Sequence, residues 1–79
     1  MQIDPTAHAP PPKVNILVNG TPHDVPEGTT ISALLDALDM AARHVAVEVN
    51  LQLVPRAQHA DHKLHEDDQL EVVTLVGGG

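Results

Sequence analysis

One segment of the sequence has the apolar periodicity of a helix, and segments with strand character lie on both sides of it. We predict this helix over residues 31–38 or slightly longer, because four apolar residues recur at the spacing of a single helical face. Thr29 or Thr30 precedes the stripe and can cap the helix by accepting a backbone N–H bond. One helix between strand segments favours a fold in which the stripe packs on a sheet. The stripe consists of Ile31, Leu34, Leu35 and Leu38.

Five short apolar-rich segments are predicted as strands, at residues 14–19, 23–25, 45–50, 51–54 and 70–76. Asn19-Gly20 follows the first strand and predicts a hairpin, because both residues tolerate positive φ. A hairpin, a crossover helix and three further strands predict an α+β, β-grasp (ubiquitin-like) layout. In it, a mixed sheet of four to five strands packs on one main helix. The sheet residues predicted to face the helix are Val14, Ile16, Val18, Val47, Val49, Leu70 and Val72.

The chain is predicted to be a single domain with an extension at each end. Residues 1–12 contain four of the seven prolines, favour polyproline II, and are predicted to form a disordered arm. Residues 13–76 form the predicted β-grasp domain, and residues 77–79 form a flexible glycine tail. The arm has no apolar period, so we expect it to be dispensable for folding.

Composition excludes several classes of function. The chain lacks Phe, Trp and Tyr, so its core has to be aliphatic and no aromatic side chain is available for base stacking. Its net charge of −7 disfavours nucleic-acid or membrane partners and suits a basic protein partner. The absence of cysteine excludes disulfides, thiol catalysis and cysteine-ligated metals. Without an apolar span or a signal-peptide pattern, we expect a cytoplasmic protein.

Two further sets of side chains could carry a site, and we expect neither to do so. His59, His62 and His65 recur at every third residue among acidic neighbours, but that spacing fits no zinc motif. We therefore interpret residues 58–66 as a solvated polar loop, anchored by Leu64, without a metal. The acidic residues form no paired arrangement that predicts acid–base catalysis, and a chain of 79 residues leaves little room for an enclosed active site. We do not expect an enzyme.

The end of the chain presents a different kind of feature. Gly77, Gly78 and Gly79 follow an apolar strand directly, and glycine lets a chain enter a channel too narrow for other residues. Three apolar residues alternate away from the helix-facing set and are expected on the open face of the sheet, near this tail. A contiguous exposed apolar patch of this kind is typical of a partner-binding site. These residues are Leu17, Val73 and Leu75, and Val76 continues them.

Taken in order, these segments resemble the ThiS family of sulfur carrier proteins. The resemblance is carried by ILVNG at residues 16–20, PEGTT and SALL within residues 26–38, VAVEVN at 45–50, VPR at 54–56, LEVV at 70–73 and VGGG at 76–79. The sequence departs from the family's pattern at Asn50-Leu51, where Asn-Gly is usual, and at Asp67-Asp68, where Gly-Asp is usual. Because Leu disfavours positive φ, we expect the first of these turns to be less tight.

The resemblance implies a function for the glycine tail. In this family the terminal carboxylate, here that of Gly79, is adenylated by a ThiF-like enzyme that uses ATP and magnesium. Sulfur from a persulfide, supplied by a cysteine desulfurase or related protein, then displaces AMP and leaves a thiocarboxylate. A ThiG-like thiazole synthase takes this sulfur for the thiazole moiety of thiamin. The chain would bind no cofactor itself, and Leu17, Val73, Leu75 and Val76 would contact the partners.

Two alternatives share the fold and the glycine tail. A carrier of the MoaD type delivers sulfur to molybdopterin, and the VAVEVN and VPR segments favour the ThiS type over it. A ubiquitin-like modifier or interaction module would instead form isopeptide bonds through the same terminal glycine. The identity of the partner enzymes distinguishes these alternatives from the thiamin carrier.

Overall fold

In the computed structural model, residues 12–75 are described and contain five strands and one α-helix in the predicted order. A short 3-10 turn at Ala42–His44 follows the helix, and a second one at Arg56–Gln58 follows the fourth strand. The helix is too short to cross a membrane, and no other helix in the described part could do so. The elements are β1 (Lys13–Val18), β2 (Thr21–Pro26), α1 (Ile31–Ala37), β3 (Val45–Val49), β4 (Gln52–Val54) and β5 (Gln69–Thr74).

The strands form one mixed sheet in the order β2-β1-β5-β3-β4. β1 and β5 run parallel, whereas the β1–β2, β3–β4 and β3–β5 pairs are antiparallel. The connection from β2 through α1 to β3 places the helix over one face of this sheet, because the buried strand residues and the helix stripe share one core. The predicted β-grasp fold, with a mixed sheet on one main helix, is confirmed.

The core is wholly aliphatic, as the composition requires, and contains every sheet residue predicted to face the helix. Leu38 is only partly buried, because the helix ends at Ala37 and Leu38 is its C-cap residue. Alternation identified the sheet face correctly, since a strand's side chains point to opposite faces in turn. Four buried residues extend the predicted set: Val25, Val45, Val54 and Leu64.

The segment that holds the three histidines closes the start of α1. The N–H of Ile31 donates to the carbonyl of His62 at 3.0 Å, and that of Ser32 donates to the carbonyl of His59 at 3.1 Å. Thr30 Oγ1 accepts from Ala33 N at 3.1 Å, so Thr30 is the cap. These bonds satisfy N–H groups that a helix start otherwise leaves without partners.

His59 is buried, and the prediction that this segment is wholly solvated is therefore wrong. Its side chain is 2% exposed, and its Nε2 lies 3.0 Å from the carbonyl oxygen of Val54. The ring therefore ties the end of β4 to the segment that caps α1. Leu64, the predicted anchor, is 1% exposed.

Both hairpins turn through two residues with positive φ. Asn19 and Gly20 have φ of 50° and 83°, and Asn50 and Leu51 have 52° and 70°. The second turn is therefore as tight as the first, and the expectation that Leu51 would loosen it is wrong. Leu51 adopts a left-handed conformation that is energetically unfavourable for any residue with a Cβ. Asp67 likewise has φ of 69°, at the turn before β5.

The carbonyl of Pro12, the residue before β1, accepts a hydrogen bond from Glu27 N at 2.9 Å. Residues 1–11 and 76–79 lie outside the described residues. The predictions of a disordered arm and of a flexible glycine tail fall on those two segments and stay predictions.

Candidate functional site

β5 carries the chain to the terminal glycines, and it lies in the middle of the sheet. Its even-numbered residues hydrogen-bond toward β1, where the carbonyl of Leu70 accepts from Asn19 N at 2.9 Å. The carbonyl of Asp68, the residue before β5, likewise accepts from Leu17 N at 2.9 Å. The odd-numbered residues bond toward β3, and Leu75 N continues this pattern by donating to the carbonyl of His44 at 2.7 Å. Leu75, two residues before the glycine tail, is therefore still hydrogen-bonded to the residue that precedes β3.

The side chain of Asn19 continues the hydrogen bonding between β1 and β5 by one more pair of bonds. Its Nδ2 donates to the carbonyl of Val72 at 3.1 Å, and its Oδ1 accepts from Val72 N at 2.8 Å. A side-chain amide thus replaces the peptide group that β1 would supply if it continued. Net contributions of about 1 kcal/mol per hydrogen bond make this pair a substantial restraint on β5.

Asn50 fixes the start of β5 in a similar way. Its Oδ1 accepts from Gln69 N, and its Nδ2 donates to Asp68 Oδ1, both at 3.0 Å. Asp68 is only 9% exposed, and its second oxygen accepts from His65 N at 2.8 Å. Neither the burial of Asp68 nor these bridges were predicted, although the placement of Asn in both turns is a signal for them.

The open face of the sheet carries an apolar patch at the end of β5. Val73 and Leu75 are 53% and 50% exposed, and Val73 lies directly opposite Ala46 of β3. Leu53 of β4 is 65% exposed, but it lies opposite Glu48 and is therefore not counted in this patch. We call Ala46, Val73 and Leu75 the β5-end patch.

Leu17 lies on the same face but is not part of the β5-end patch. It pairs with Gln69, four residues before Val73, so the two side chains lie about 13 Å apart along the strand direction. Glu71 lies between these positions and directly faces Glu48 of β3. The expected contiguous patch is therefore divided by acidic side chains.

Leu17 instead lies beside the Asn50-Leu51 turn. Together with Leu51 it lines a small surface depression of about 170 Å³. Leu51 is 89% exposed, so this second apolar group projects from the opposite end of the open face. The two apolar groups are separate surfaces for the purpose of mutational tests.

Three of the predicted contact residues thus have a defined place, and the others do not. Leu17, Val73 and Leu75 lie on the open face, while Val76, Gly77, Gly78 and Gly79 lie outside the described residues. Within residues 12–75 no group of three or more His, Asp or Glu side chains is placed to hold a metal ion. His62 and His65 line an open depression of about 470 Å³ with Asp68, whose oxygens are already hydrogen-bonded.

These features define a small β-grasp protein whose last strand is fixed by both neighbours and leads out beside an exposed apolar patch. Residues 16–79 match the model of the ThiS family. The sulfur carrier protein ThiS of Escherichia coli is 33% identical over 66 residues, which cover 84% of this chain and all of that protein. The chain belongs to the ThiS family, the sulfur carriers of thiamin biosynthesis.

A solved structure agrees with this assignment. The crystal structure of the thiamine biosynthesis protein ThiS from Geobacter metallireducens has a TM-score of 0.72 and 33% identity, and the match covers 84% of this chain and 100% of that one. A protein named thiazole synthase from Magnetococcus marinus is 46% identical over 66 residues. The match spans 84% of this chain but only 20% of that synthase's length.

Proposed function

We propose that this chain carries sulfur for the thiazole moiety of thiamin as a thiocarboxylate on Gly79. The observation that carries the proposal is the match to the ThiS family, which extends through residue 79 and so includes the glycine tail. The hydrogen bonds that hold β5 up to Leu75 support it, because a carrier needs a rigid base from which its tail extends. The family match favours this function over a molybdopterin carrier.

In the proposed first step the Gly79 carboxylate is the nucleophile. One carboxylate oxygen attacks the α-phosphorus of ATP, the bond to the β-phosphate oxygen breaks, and pyrophosphate leaves. The product is an acyl-adenylate, in which AMP is a good leaving group from the carbonyl carbon. ATP and magnesium belong to the ThiF-like adenylating enzyme, and this chain is its protein co-substrate.

In the second step sulfur replaces AMP. The terminal sulfur of a persulfide, formed by a cysteine desulfurase or related protein, attacks the carbonyl carbon and AMP leaves. The resulting acyl disulfide is cleaved by a thiol, which becomes part of a disulfide as the thiocarboxylate is released. With bisulfide in place of the persulfide, attack and loss of AMP give the thiocarboxylate directly.

The last step transfers sulfur to a thiazole synthase, a ThiG-like enzyme. Proteins named thiazole synthase in two bacteria contain a segment similar to this chain, at 46% and 36% identity, which supports such an enzyme as the acceptor. The chain spans about a fifth of the length of each synthase. We propose that Val73 and Leu75, continued by Val76, contact both enzymes, and that Leu17 forms a separate contact.

Glycine at positions 77–79 suits this delivery. Four residues follow Leu75, so the carboxylate can reach about 14 Å beyond it when the tail is extended. The three glycines have no side chains, so about the last 10 Å of the extended chain can enter a narrow channel. The tail thereby presents the carboxylate while the domain remains outside the partner's active site.

The adenylation step can be tested without a sulfur source. The chain, the adenylating enzyme, MgATP and labelled pyrophosphate are mixed, and incorporation of label into ATP is measured. We expect exchange that depends on this chain, because acyl-adenylate formation is reversible. A matched variant with one alanine appended after Gly79 should support none. Exchange with the extended variant at the rate of the native chain would contradict the proposal.

A further inference from the structure

Within residues 12–75, the hydrogen-bonding pattern leaves one backbone position of β5 without a partner, and it lies three residues before the glycine tail. β1 ends at Val18, which pairs with Leu70, and β5 continues beyond it. The side chain of Asn19 hydrogen-bonds both the N–H and the carbonyl of Val72. The next residue whose peptide groups point toward the β1 side is therefore Thr74. This follows from the two-residue alternation along a strand.

The neighbour on the other side does not satisfy Thr74 either. Thr74 pairs with Val45 of β3, but Leu75 N donates to His44, so the Val45–Thr74 pair is the kind that shares no hydrogen bonds. Val45 N donates instead to the carbonyl of Ala42. Within residues 12–75 the N–H and C=O of Thr74 therefore have no backbone partner, and Thr74 is exposed.

We propose that an extended segment of the adenylating enzyme pairs with the Thr74 backbone, in the place that β1 leaves vacant. This inference rests on the proposed function and names the contact that aligns the tail. Its physical basis is strand addition, in which main-chain hydrogen bonds give affinity and neighbouring side chains give specificity. Val73 and Leu75, half exposed on either side of Thr74, supply the apolar contacts for such a segment.

The length of the tail places the enzyme at this edge. Five residues separate Thr74 from the end of Gly79, so the reacting carboxylate lies within about 17 Å of Thr74. The enzyme that holds this carboxylate against ATP therefore has its surface beside Thr74. Adenylation requires the carboxylate to be aligned with the α-phosphorus, and a flexible glycine tail alone provides little alignment. A backbone pair at Thr74 fixes the direction in which the tail leaves the sheet.

The central test removes one backbone N–H, that of Thr74. Thr74→Pro removes an N–H that has no backbone partner within residues 12–75, whereas Thr74→Ala keeps it. Proline is tolerated at edge positions whose N–H is unpaired, so the midpoint of thermal unfolding should change little. We expect the kcat/KM of pyrophosphate exchange to fall about tenfold for Thr74→Pro, the loss that follows from about 1.4 kcal/mol of binding free energy. Thr74→Ala should retain the native value, and native kcat/KM for a folded Thr74→Pro chain would overturn the inference.

Amide hydrogen exchange of the unmodified chain gives an independent test, and it decides the matter if Thr74→Pro does not fold. The Thr74 amide should exchange rapidly in the free chain, while that of Glu71, paired with Glu48, exchanges slowly. Adding the adenylating enzyme should slow Thr74 exchange about tenfold or more. Protection of the Thr74 amide in the free chain would mean that residues 1–11 or a second copy of the chain pair with it. Protection by thiazole synthase alone would assign it to that enzyme, and either result overturns the proposal.

Failure of this inference is distinct from failure of the proposed function. The native chain is assayed first, and absence of chain-dependent pyrophosphate exchange would contradict the carrier function itself. If exchange occurs and Thr74 is neither needed nor protected, the function stands and only the strand-pairing contact is wrong.

Discussion

Leu51→Gly should stabilise the protein, because Leu51 is held at positive φ without packing to compensate. The backbone there has φ of 70°, and the side chain is 89% exposed. A left-handed conformation costs a residue with a Cβ about 1–2 kcal/mol, and glycine avoids this cost. Glycine also raises the entropy of the unfolded chain, which offsets about 0.4–1 kcal/mol of the gain. The difference between these two terms is about 0–1.6 kcal/mol, with a midpoint of about 0.8 kcal/mol that is equivalent to a rise in Tm of about 3–6 °C.

Urea unfolding followed by far-ultraviolet circular dichroism suits this measurement, because the chain has no aromatic residue to report by fluorescence. Leu51→Ala is the matched control: it removes most of the exposed side chain but keeps the Cβ. Its free energy of unfolding should stay within about 0.5 kcal/mol of the native value. The reasoning is refuted if Leu51→Gly destabilises the fold, or if Leu51→Ala stabilises it as much as glycine does.

Three other substitutions test the packing, the patch and the tail. His59→Ala should lower the free energy of unfolding by about 2–4 kcal/mol, because it empties a buried site and leaves the Val54 carbonyl without its partner. In the same urea titration, exposed His65→Ala should change it by less than about 0.5 kcal/mol, and equal losses would contradict the structural role of His59. Val73→Asp should raise the Kd for both partner enzymes about tenfold in calorimetric titration while Tm is preserved, since it places a charge in the β5-end patch. An unchanged Kd for both would remove Val73 from the interface. Gly78→Val should slow pyrophosphate exchange without altering Tm, and native exchange rates would argue against a narrow channel.

The fold could be predicted from the sequence because its signals are local. The alternation in β1 and β3 identifies the buried face, and Asn19-Gly20 specifies a tight turn. The single helix stripe then leaves few arrangements in which all apolar faces are covered. Local propensity gave the wrong expectation at Leu51, because leucine disfavours positive φ. The pairing of β3 with β4 imposes a tight two-residue turn there despite that conformational cost.

The details of the site depend on tertiary partners that no local pattern specifies. A period of two shows that Leu17 and Val73 share a face, but the offset between parallel β1 and β5 decides that they are not neighbours. The burial of His59 depends on the Val54 carbonyl, and that of Asp68 on Asn50. That the Thr74 backbone has no partner within residues 12–75 likewise follows only from where β1 ends relative to β5.

Intact-mass analysis of the chain after sulfur loading is the most direct test of the carrier function. The full chain is incubated with the adenylating enzyme, MgATP and bisulfide, in parallel with a chain extended by one alanine after Gly79. The native chain should gain the mass that corresponds to replacement of one oxygen by sulfur, and fragmentation should locate the change at Gly79. The extended chain should gain nothing. Equal loading of the extended chain, or sulfur located at any residue other than Gly79, would contradict the proposed function.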